Sequence, residues 1–377
     1  MNKKNVLFIS GTRADFGKIR VLIDGMLEHS CFNVKIFVTG MHLNHELGLT
    51  MQEIANRYPN EMIRYSKHTN DKSMSIALGM LICEMSEFIT DFKPDMIIVH
   101  GDRLEALSGA IVGSLNNILV AHIEGGEVSG TIDESIRHSI SKLAHIHFVS
   151  NQQAKSRLIQ LGEEENRIFI IGSPDIDIML NLKAVDLDLI KKRHQIVFDK
   201  YSIFIFHPVT TELDELQATI KTVIKALIIS GLNYIVIYPN NDTGYQTIIH
   251  EFEVLDSNNN FLLFPSIPLE DFLHLLYHCE FIIGNSSAGV RESGIYGIPA
   301  IDIGTRQNNR SKIKNGNIQH VGNKIEDILD AIKKVDNYRI RSFEFGDGHS
   351  YERFIQIVLE ESTWIIKKQK SFIDIEV

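Results

Sequence analysis

The chain has 377 residues, enough for two ordinary domains, and its 44% apolar content can fill two cores. Lysine and arginine number 38 against 48 aspartates and glutamates, and the net charge of −10 carries no basic run, which argues against nucleic acid or an anionic membrane as a partner. Three isolated cysteines, Cys31, Cys83 and Cys279, support neither a disulfide framework nor a CxxC metal site, and no apolar run approaches the roughly 18 residues of a membrane helix. A soluble, cytoplasmic protein is expected.

Taken in chain order, short apolar runs alternate with longer helical patterns. "NVLFIS", "VKIFVTG", "MIIVHGD", "ILVAHIE", "HIHFVS" and "RIFIIGS" read as strands in the first half, with helical periodicity over Ser73–Asp91, Leu104–Asn116 and Asp133–Ala144. In the second half the strands are "SIFIFHP", "YIVIYPN", "FLLFP", "FIIGNSS" and "PAIDIG", with helices over Glu212–Ser230 and Leu269–His278. Runs apolar throughout belong to strands covered on both faces, so the alternation predicts parallel sheets with crossover helices. Eleven strands are many for one open sheet, and two sheets are the simpler reading. The hinge is expected near Gly172–Asp177, separating a first Rossmann-like domain over 1–172 from a second over 178–350. The last helix, about Tyr351 to Lys367 with the sole Trp364, is expected to pack the 351–377 segment back on the first domain.

Ligands of parallel sheets sit beyond the carboxyl ends of the strands, and every strand end here is polar or charged. "IIGNSSAGVRE" is the clearest anion cradle: Gly284 ends a strand, Ser286 and Ser287 offer hydroxyls, Gly289 admits close backbone approach, and a helix start follows with Glu292 one turn in. Taken alone, a serine helix cap explains the pattern better. Arg13, Lys18, Arg103 and Arg306 at other strand ends of an acidic chain shift the balance to a phosphorylated ligand. Asp102 and Glu124 each follow a wholly apolar strand, where an unpaired charge costs several kcal/mol. Asp133 opens a helix, where it competes with Ser129 and Thr131 as a cap, and His207 is the counterpart in the second sheet. No metal is expected: His145 and His147 alternate onto one strand face without an evident acidic partner, and "DID" at Asp175–Asp177 reads as a helix start.

The set "TRADFGK", "TGMH", "HGDR", "HIEGGEVSGTIDESIRHSISKLAH", "FHPVTT", "YPNNDTG", "GNSSAGVRE" and "GTRQNNR", in this order, resembles the UDP-N-acetylglucosamine 2-epimerase family from about residue 6 to 310. The resemblance is closest to its hydrolysing branch, which supplies N-acetylmannosamine for sialic acid synthesis. It implies an α/β GT-B fold, two doubly wound Rossmann-like parallel-sheet domains facing a central cleft that holds a nucleotide sugar. It implies no cofactor, and a homodimer or homotetramer. By matched motif Asp102, Glu124, Asp133 and His207 fall on the family's catalytic group. Arg13, Lys18, Arg103, Asn240, Ser286, Ser287, Glu292 and Arg306 fall on its nucleotide and sugar contacts, and Phe272 on its uracil-stacking ring, with Ile267 nearby.

The implied reaction eliminates UDP across C1–C2 to give a 2-acetamidoglucal, which water then hydrates with inversion at C2. Inversion calls for acid–base groups on both sugar faces, which accounts for several carboxylates on separate loops. Non-hydrolysing relatives carry Q-H-R-E-M-L after the second strand, where this chain reads "TGMHLNHEL", with Met41 and Leu43 replacing the glutamine and arginine that help bind an activating nucleotide sugar. That departure favours the hydrolysing branch. The animal enzymes' feedback arginines have no counterpart in "GYQTIIHEFEV", so inhibition by an activated sialic acid is not expected. The same mechanism on a UDP- or GDP-linked 2,4-diacetamido sugar, a non-hydrolysing epimerase, a GT-B glycosyltransferase and a silent nucleotide-sugar binder are the alternatives.

Overall fold

The computed structural model describes residues 3–43, 49–64, 73–129, 132–182, 185–240, 242–308, 310 and 316–374. Thr131, one of the competing caps, and the end of the returning segment at 375–377 lie outside them. The chain divides into two compact units: Met1–Glu127, Asp133–Asn181 and Phe345–Val377 form the first, and Leu182–Glu344, grouped with Val128–Ile132, the second.

In the first unit β1 (Lys4–Ser10), β2 (Phe32–Val38), β3 (Met62–Arg64), β4 (Met96–His100), β5 (Leu119–Ile123), β6 (Ile146–Val149) and β7 (Ile168–Ile170) make one parallel sheet. Its order is β3-β2-β1-β4-β5-β6-β7. In the second unit β8 (Ser202–Ile205), β9 (Tyr234–Ile237), β10 (Phe261–Phe264), β11 (Ile282–Gly284), β12 (Ala300–Ile303) and β13 (Ile318–Val321) are likewise parallel, in the order β10-β9-β8-β11-β12-β13. Each order reverses once, between β1 and β4 and between β8 and β11, so both units are doubly wound with one switch point each. The two strands beyond the eleven expected, β3 and β13, are outermost in their sheets. β3 is only three residues long, and the polar Gln319 and His320 break up β13, so neither shows a continuous apolar run.

The all-apolar strands behave as strands covered on both faces do. In β1, Val6 and Phe8 pack with Phe16, Ile19 and Ile23 of the helix Arg13–Leu27, while Leu7 and Ile9 face Met85 and Ala106 on the other side. In β8, Phe204 meets Ile220 and Val223 of the helix Leu213–Ser230, and Ile203 and Ile205 meet Leu275 and Leu276 of the helix Leu269–His278. Each fully buried side chain of this kind contributes about 1.5–3 kcal/mol, so the sheets are fixed by their centres.

The stretch read as a hinge falls in the Asp133–Asn181 segment of the first unit, and the second unit's main segment begins at Leu182. There Pro174–Leu180 forms a helix, and the Asp177 carboxylate accepts from the backbone N–H groups of Ser350 (3.0 Å) and Tyr351 (2.7 Å). It thereby caps the helix Ser350–Leu359, whose Phe354, Ile355 and Val358 pack in the first core. That helix is shorter than expected: a 3₁₀ turn at Glu361–Trp364 follows, and Trp364 Nε1 donates to Val358 O at 2.9 Å, its ring 5.9 Å from that of Phe32. The returning helix comes so close that a Cβ on Gly25 would lie 2.1 Å from the Tyr351 ring. Asp177→Ala leaves two N–H groups at that helix start, one buried and one partly buried, without their acceptor and should lower stability by about 1–3 kcal/mol. A urea midpoint equal to that of the parent chain would show that solvent replaces the cap.

Candidate active site

Glu124, the residue after β5, is nearly fully buried and holds φ at +64°, a left-handed conformation costing a non-glycine residue about 1–3 kcal/mol. Such strain persists where the surroundings hold it. Ser173 Oγ donates to Glu124 Oε1, and Lys18 Nζ lies 3.3 Å from Oε2 and 3.4 Å from Asp175 Oδ2. His100, closing β4, sets Nε2 3.1 Å from Glu124 Oε2, off the line of a full hydrogen bond, and Nδ1 3.6 Å from Asp15 Oδ1.

Asp15 belongs to a capping box: Thr12 Oγ1 accepts from Asp15 N, and Asp15 Oδ2 accepts from Thr12 N at 3.0 Å and from Gly11 N at 3.2 Å. The helix Arg13–Leu27 thus starts beyond β1 and carries Lys18 one turn past Asp15, toward Glu124. Burial works against the charged forms of both Asp15 and His100, yet their mutual attraction, joined on His100 by Glu124, lowers the pKa of Asp15 and raises that of His100.

Asp102 sits in the turn after β4 and pairs with Arg137 Nη2, a guanidinium only 1% exposed on the helix Ile132–Leu143, whose Nη1 donates to Glu127 O at 3.3 Å. Asp133 is half-buried in the first turn of that helix, four residues before Arg137. Arg13 pairs with Glu53 at 3.2 Å. Arg103 stands at the N-cap of the helix Leu104–Leu115, and its charge helps hold the pKa of Asp15 down.

Buried histidines brace this end of the sheet. His122 Nε2 donates to Gly101 O at 2.8 Å and its Nδ1 lies 3.0 Å from Ser141 Oγ; burial drops its pKa to about 3, so it stays neutral. His42 is held between Ser10 (2.9 Å) and Thr50 (2.7 Å), with a pKa near 4 from burial. The acidic partner not evident from sequence for the His145–His147 pair is Glu163, 3.0 Å from His147 Nε2. Glu163 is also paired with Lys142 and Lys370, while His145 Nε2 donates to Lys368 O, so both rings serve packing. Among the described residues no group of three or more His, Cys, Asp or Glu side chains is placed to hold a metal ion.

In the second unit the site forms at the β8–β11 switch point. A Cβ on Gly284, at φ +131°, would lie 1.9 Å from Ile205 O, so only glycine fits there. That approach brings Asn285 beside His207: Asn285 Oδ1 accepts from His207 N (2.7 Å) and Nδ2 donates to His207 O (2.9 Å). Asn285 O in turn accepts from Gln307 Nε2 (2.9 Å) and Arg306 Nη1 (3.3 Å). Asn240 N–H donates to His207 Nδ1 at 3.1 Å. Ser286 Oγ caps a helix by accepting from Ala288 N, and Ser286 and Ser287 stay half-exposed.

The single helix expected after the cradle is two four-residue pieces, Ser287–Val290 and Ser293–Tyr296, with the buried Glu292 at the N-cap of the second. A Cβ at Gly289 would meet ordinary contacts with Ala300 and Ile282. Ile267 lies in the core cluster, and Phe272 packs partly buried against it.

Within the first unit the structure gathers Lys18 and Glu124 into one group and Asp102 into a second with Arg137. Within the second it gathers His207, Asn240 and Arg306. Sequence reading did not single out Asp15, His100, Ser173, Arg137, Asn285 and Gln307, and it took Asp175 only as part of a helix start. The signals were present: a buried arginine in "SIRH" needs an anion, and "GNSS" places an asparagine directly after a strand glycine.

His100, with a pKa above its ordinary 6.5, contributes pairing energy that is complete below pH 6.5 and fades as pH rises through its raised value. His100→Gln should therefore lower the urea midpoint most near pH 6, the deficit shrinking toward alkaline pH. A deficit independent of pH would mean that the charge on His100 contributes nothing.

A family model described as UDP-N-acetylglucosamine 2-epimerase matches residues 26–359. The UDP-N-acetylglucosamine 2-epimerase of Neisseria meningitidis serogroup B is 44% identical over 377 residues, 99% of each chain. The UDP-N,N'-diacetylbacillosamine 2-epimerase (hydrolyzing) of Legionella pneumophila is 32% identical over 365 residues, covering 94% of this chain and 95% of that one. In fold, the Methanocaldococcus jannaschii UDP-GlcNAc 2-epimerase, solved with UDP-GlcNAc and UDP, superposes at a TM-score of 0.82 with 23% identity, over 94% of this chain and 99% of the other. With the two doubly wound sheets and the full-length match together, this chain belongs to the UDP-N-acetylglucosamine 2-epimerase family.

Proposed function

We propose that this chain is a hydrolysing 2-epimerase that converts UDP-N-acetylglucosamine and water to N-acetylmannosamine and UDP, the entry to sialic acid synthesis. The observation that carries the hydrolysing reading is the turn Gly40–Leu43. His42 is sealed there between Ser10 and Thr50, and Leu43 leans on the core, so the turn is apolar where the non-hydrolysing pattern has glutamine and arginine. The 32% identical relative named as hydrolysing supports the same reading.

The C2 hydrogen of the sugar adjoins no carbonyl, so cleavage of C1–O must run ahead of its removal. Positive charge then builds on C1 and the ring oxygen, and negative charge on the departing diphosphate. Glu124, Asp102 and Asp133 are the groups proposed to face the first and to move protons at C2 and at the incoming water. Ser286, Ser287 and Arg306, with Arg13 and Arg103, are proposed to meet the second, and Phe272 the uracil. A general acid or base contributes about 10²- to 10⁴-fold, and a placed donor about 10²- to 10³-fold. A second reading keeps this mechanism on a nucleotide-linked 2,4-diacetamido sugar; the name of the Legionella relative favours it.

A proton NMR time course with UDP-N-acetylglucosamine in deuterated water tests the proposal. N-Acetylmannosamine carrying deuterium at C2, released with UDP, is the expected outcome. UDP-N-acetylmannosamine would place the chain with non-hydrolysing epimerases, and turnover of only a 2,4-diacetamido sugar would establish the second reading.

The residue roles make a separable prediction. Asp102→Asn and Glu124→Gln should each cut turnover at least about a hundredfold while UDP still binds. Ser287→Ala and Arg306→Ala should instead weaken UDP binding by calorimetry. Near-normal turnover in both amides would take the two carboxylates out of the mechanism.

A further inference from the structure

Gln307 is wholly buried, although its side-chain amide is polar at both ends. Both ends are engaged: Arg310 Nη1 donates to Oε1 at 3.0 Å, and Nε2 donates to Asn285 O at 2.9 Å. A guanidinium can only donate and a carbonyl only accept, so this orientation of the amide is the one that satisfies both. The line continues into the strand ends. Asn285 N–H donates to Ile205 O at 3.1 Å, and the Asn285 side chain binds the main-chain N–H and C=O of His207. Buried amides therefore join the loop after β12 to the ends of β11 and β8.

What this line fixes is a peptide plane. The carbonyl that Gln307 holds belongs to the Asn285–Ser286 peptide, which is trans, so the Ser286 N–H points to the opposite side from Gln307. The next groups are set in turn: Ser286 Oγ accepts from Ala288 N at 3.3 Å, and Ser286 O accepts from Gly289 N at 3.1 Å. We infer that Gln307 is a positioning residue for a diphosphate, aligning this peptide so that Ser286 and Ser287 meet the anion already oriented. The inference deepens the proposed function and rests on it for the ligand. Gln307 is too deeply buried to touch that ligand and acts only through Asn285. Donors placed in advance need no reorganisation when charge arrives, and their effect lies there. Asn285 O also accepts from Arg306 Nη1 at 3.3 Å, so loss of the Gln307 N–H leaves it the longer of these two bonds.

Uridine and UDP share a base and a ribose and differ in the diphosphate, so the pair separates alignment of the cradle from integrity of the unit. Gln307→Met keeps the length of the side chain and removes the N–H. In the 377-residue chain it should weaken UDP about tenfold by calorimetry, while uridine, followed by ligand-detected NMR, stays within about twofold of the parent. Unchanged UDP affinity would overturn the inference. Equal weakening of UDP and uridine would show that Gln307 supports the fold alone, and would overturn it too.

Gln307→Glu is the second variant. Its carboxylate still accepts from Arg310 but offers no N–H to Asn285 O, so the same split between UDP and uridine is expected. Either variant serves where its urea midpoint stays near that of the parent, and unfolding of both would overturn the positioning role in favour of a structural one. If the parent chain binds neither UDP nor uridine, the proposed function falls and takes the inference with it. UDP bound equally by parent and variants removes Gln307 alone and leaves the proposed function standing.

Discussion

A carboxylate held out of water at the end of a central strand is the constraint that organises the first unit. An ion the size of a carboxylate loses several kcal/mol on leaving water even after the protein relaxes, and Glu124 adds a left-handed backbone to that cost. Neither is tolerable unless donors converge on the carboxylate. They come from three separate stretches: Lys18 from the helix after β1, His100 from the end of β4, and Ser173 from the loop after β7. The parallel order β1-β4-β5-β6-β7 is what lets these stretches meet, since it brings every strand's carboxyl end to one side of the sheet. Asp15, joined to the same histidine, ties the helix start to the group as well, so the order of strands and the position of the helix are coupled to one charge.

The second unit meets the same geometric problem with a neutral device. Its centre is the Asn285 amide, which spans the two strands at the switch point by accepting from His207 N and donating to His207 O, while the Asn285 carbonyl accepts from Gln307 and Arg306. Gly284 is the condition for it, because any side chain there would collide with the Ile205 carbonyl. Charge in this unit, on Arg306, is arranged around that neutral clamp. The amide, hydroxyl and guanidinium groups of this unit suit the negative charge that the proposed elimination develops on a diphosphate.

Histidine is abundant near the first sheet, and most of it works as structure. His122 and His42 have both ring nitrogens engaged, and burial keeps them neutral. His145 and His147 tie the returning tail and Glu163 to β5 and β6. What separates His100 is its company: two carboxylates face it, and their attraction outweighs the desolvation that neutralises the others. An imidazole's role is therefore set by which charges surround it, a property of packing that adjacent sequence does not contain.

Sequence alone determined the elements whose cause is local or repetitive. Apolar runs such as "MIIV" and "IFIF" had to be strands covered on both faces, and the alternation with helical periods had to build parallel sheets. Charges directly after such runs, Asp102 and Glu124, had to lie at strand ends. The short or polar strands β3 and β13 escaped because half-covered strands carry little apolar signal. The break of the helix after Ser286 escaped because propensity says little over four residues. Only the tertiary structure decided which distant groups satisfy each polar side chain: Arg137 for Asp102, Lys18 and His100 for Glu124, and the Asn240 N–H for the His207 ring. Pattern reports which face a residue turns inward, while the partner it finds there depends on strand order and close packing across sequence separations of tens to more than a hundred residues.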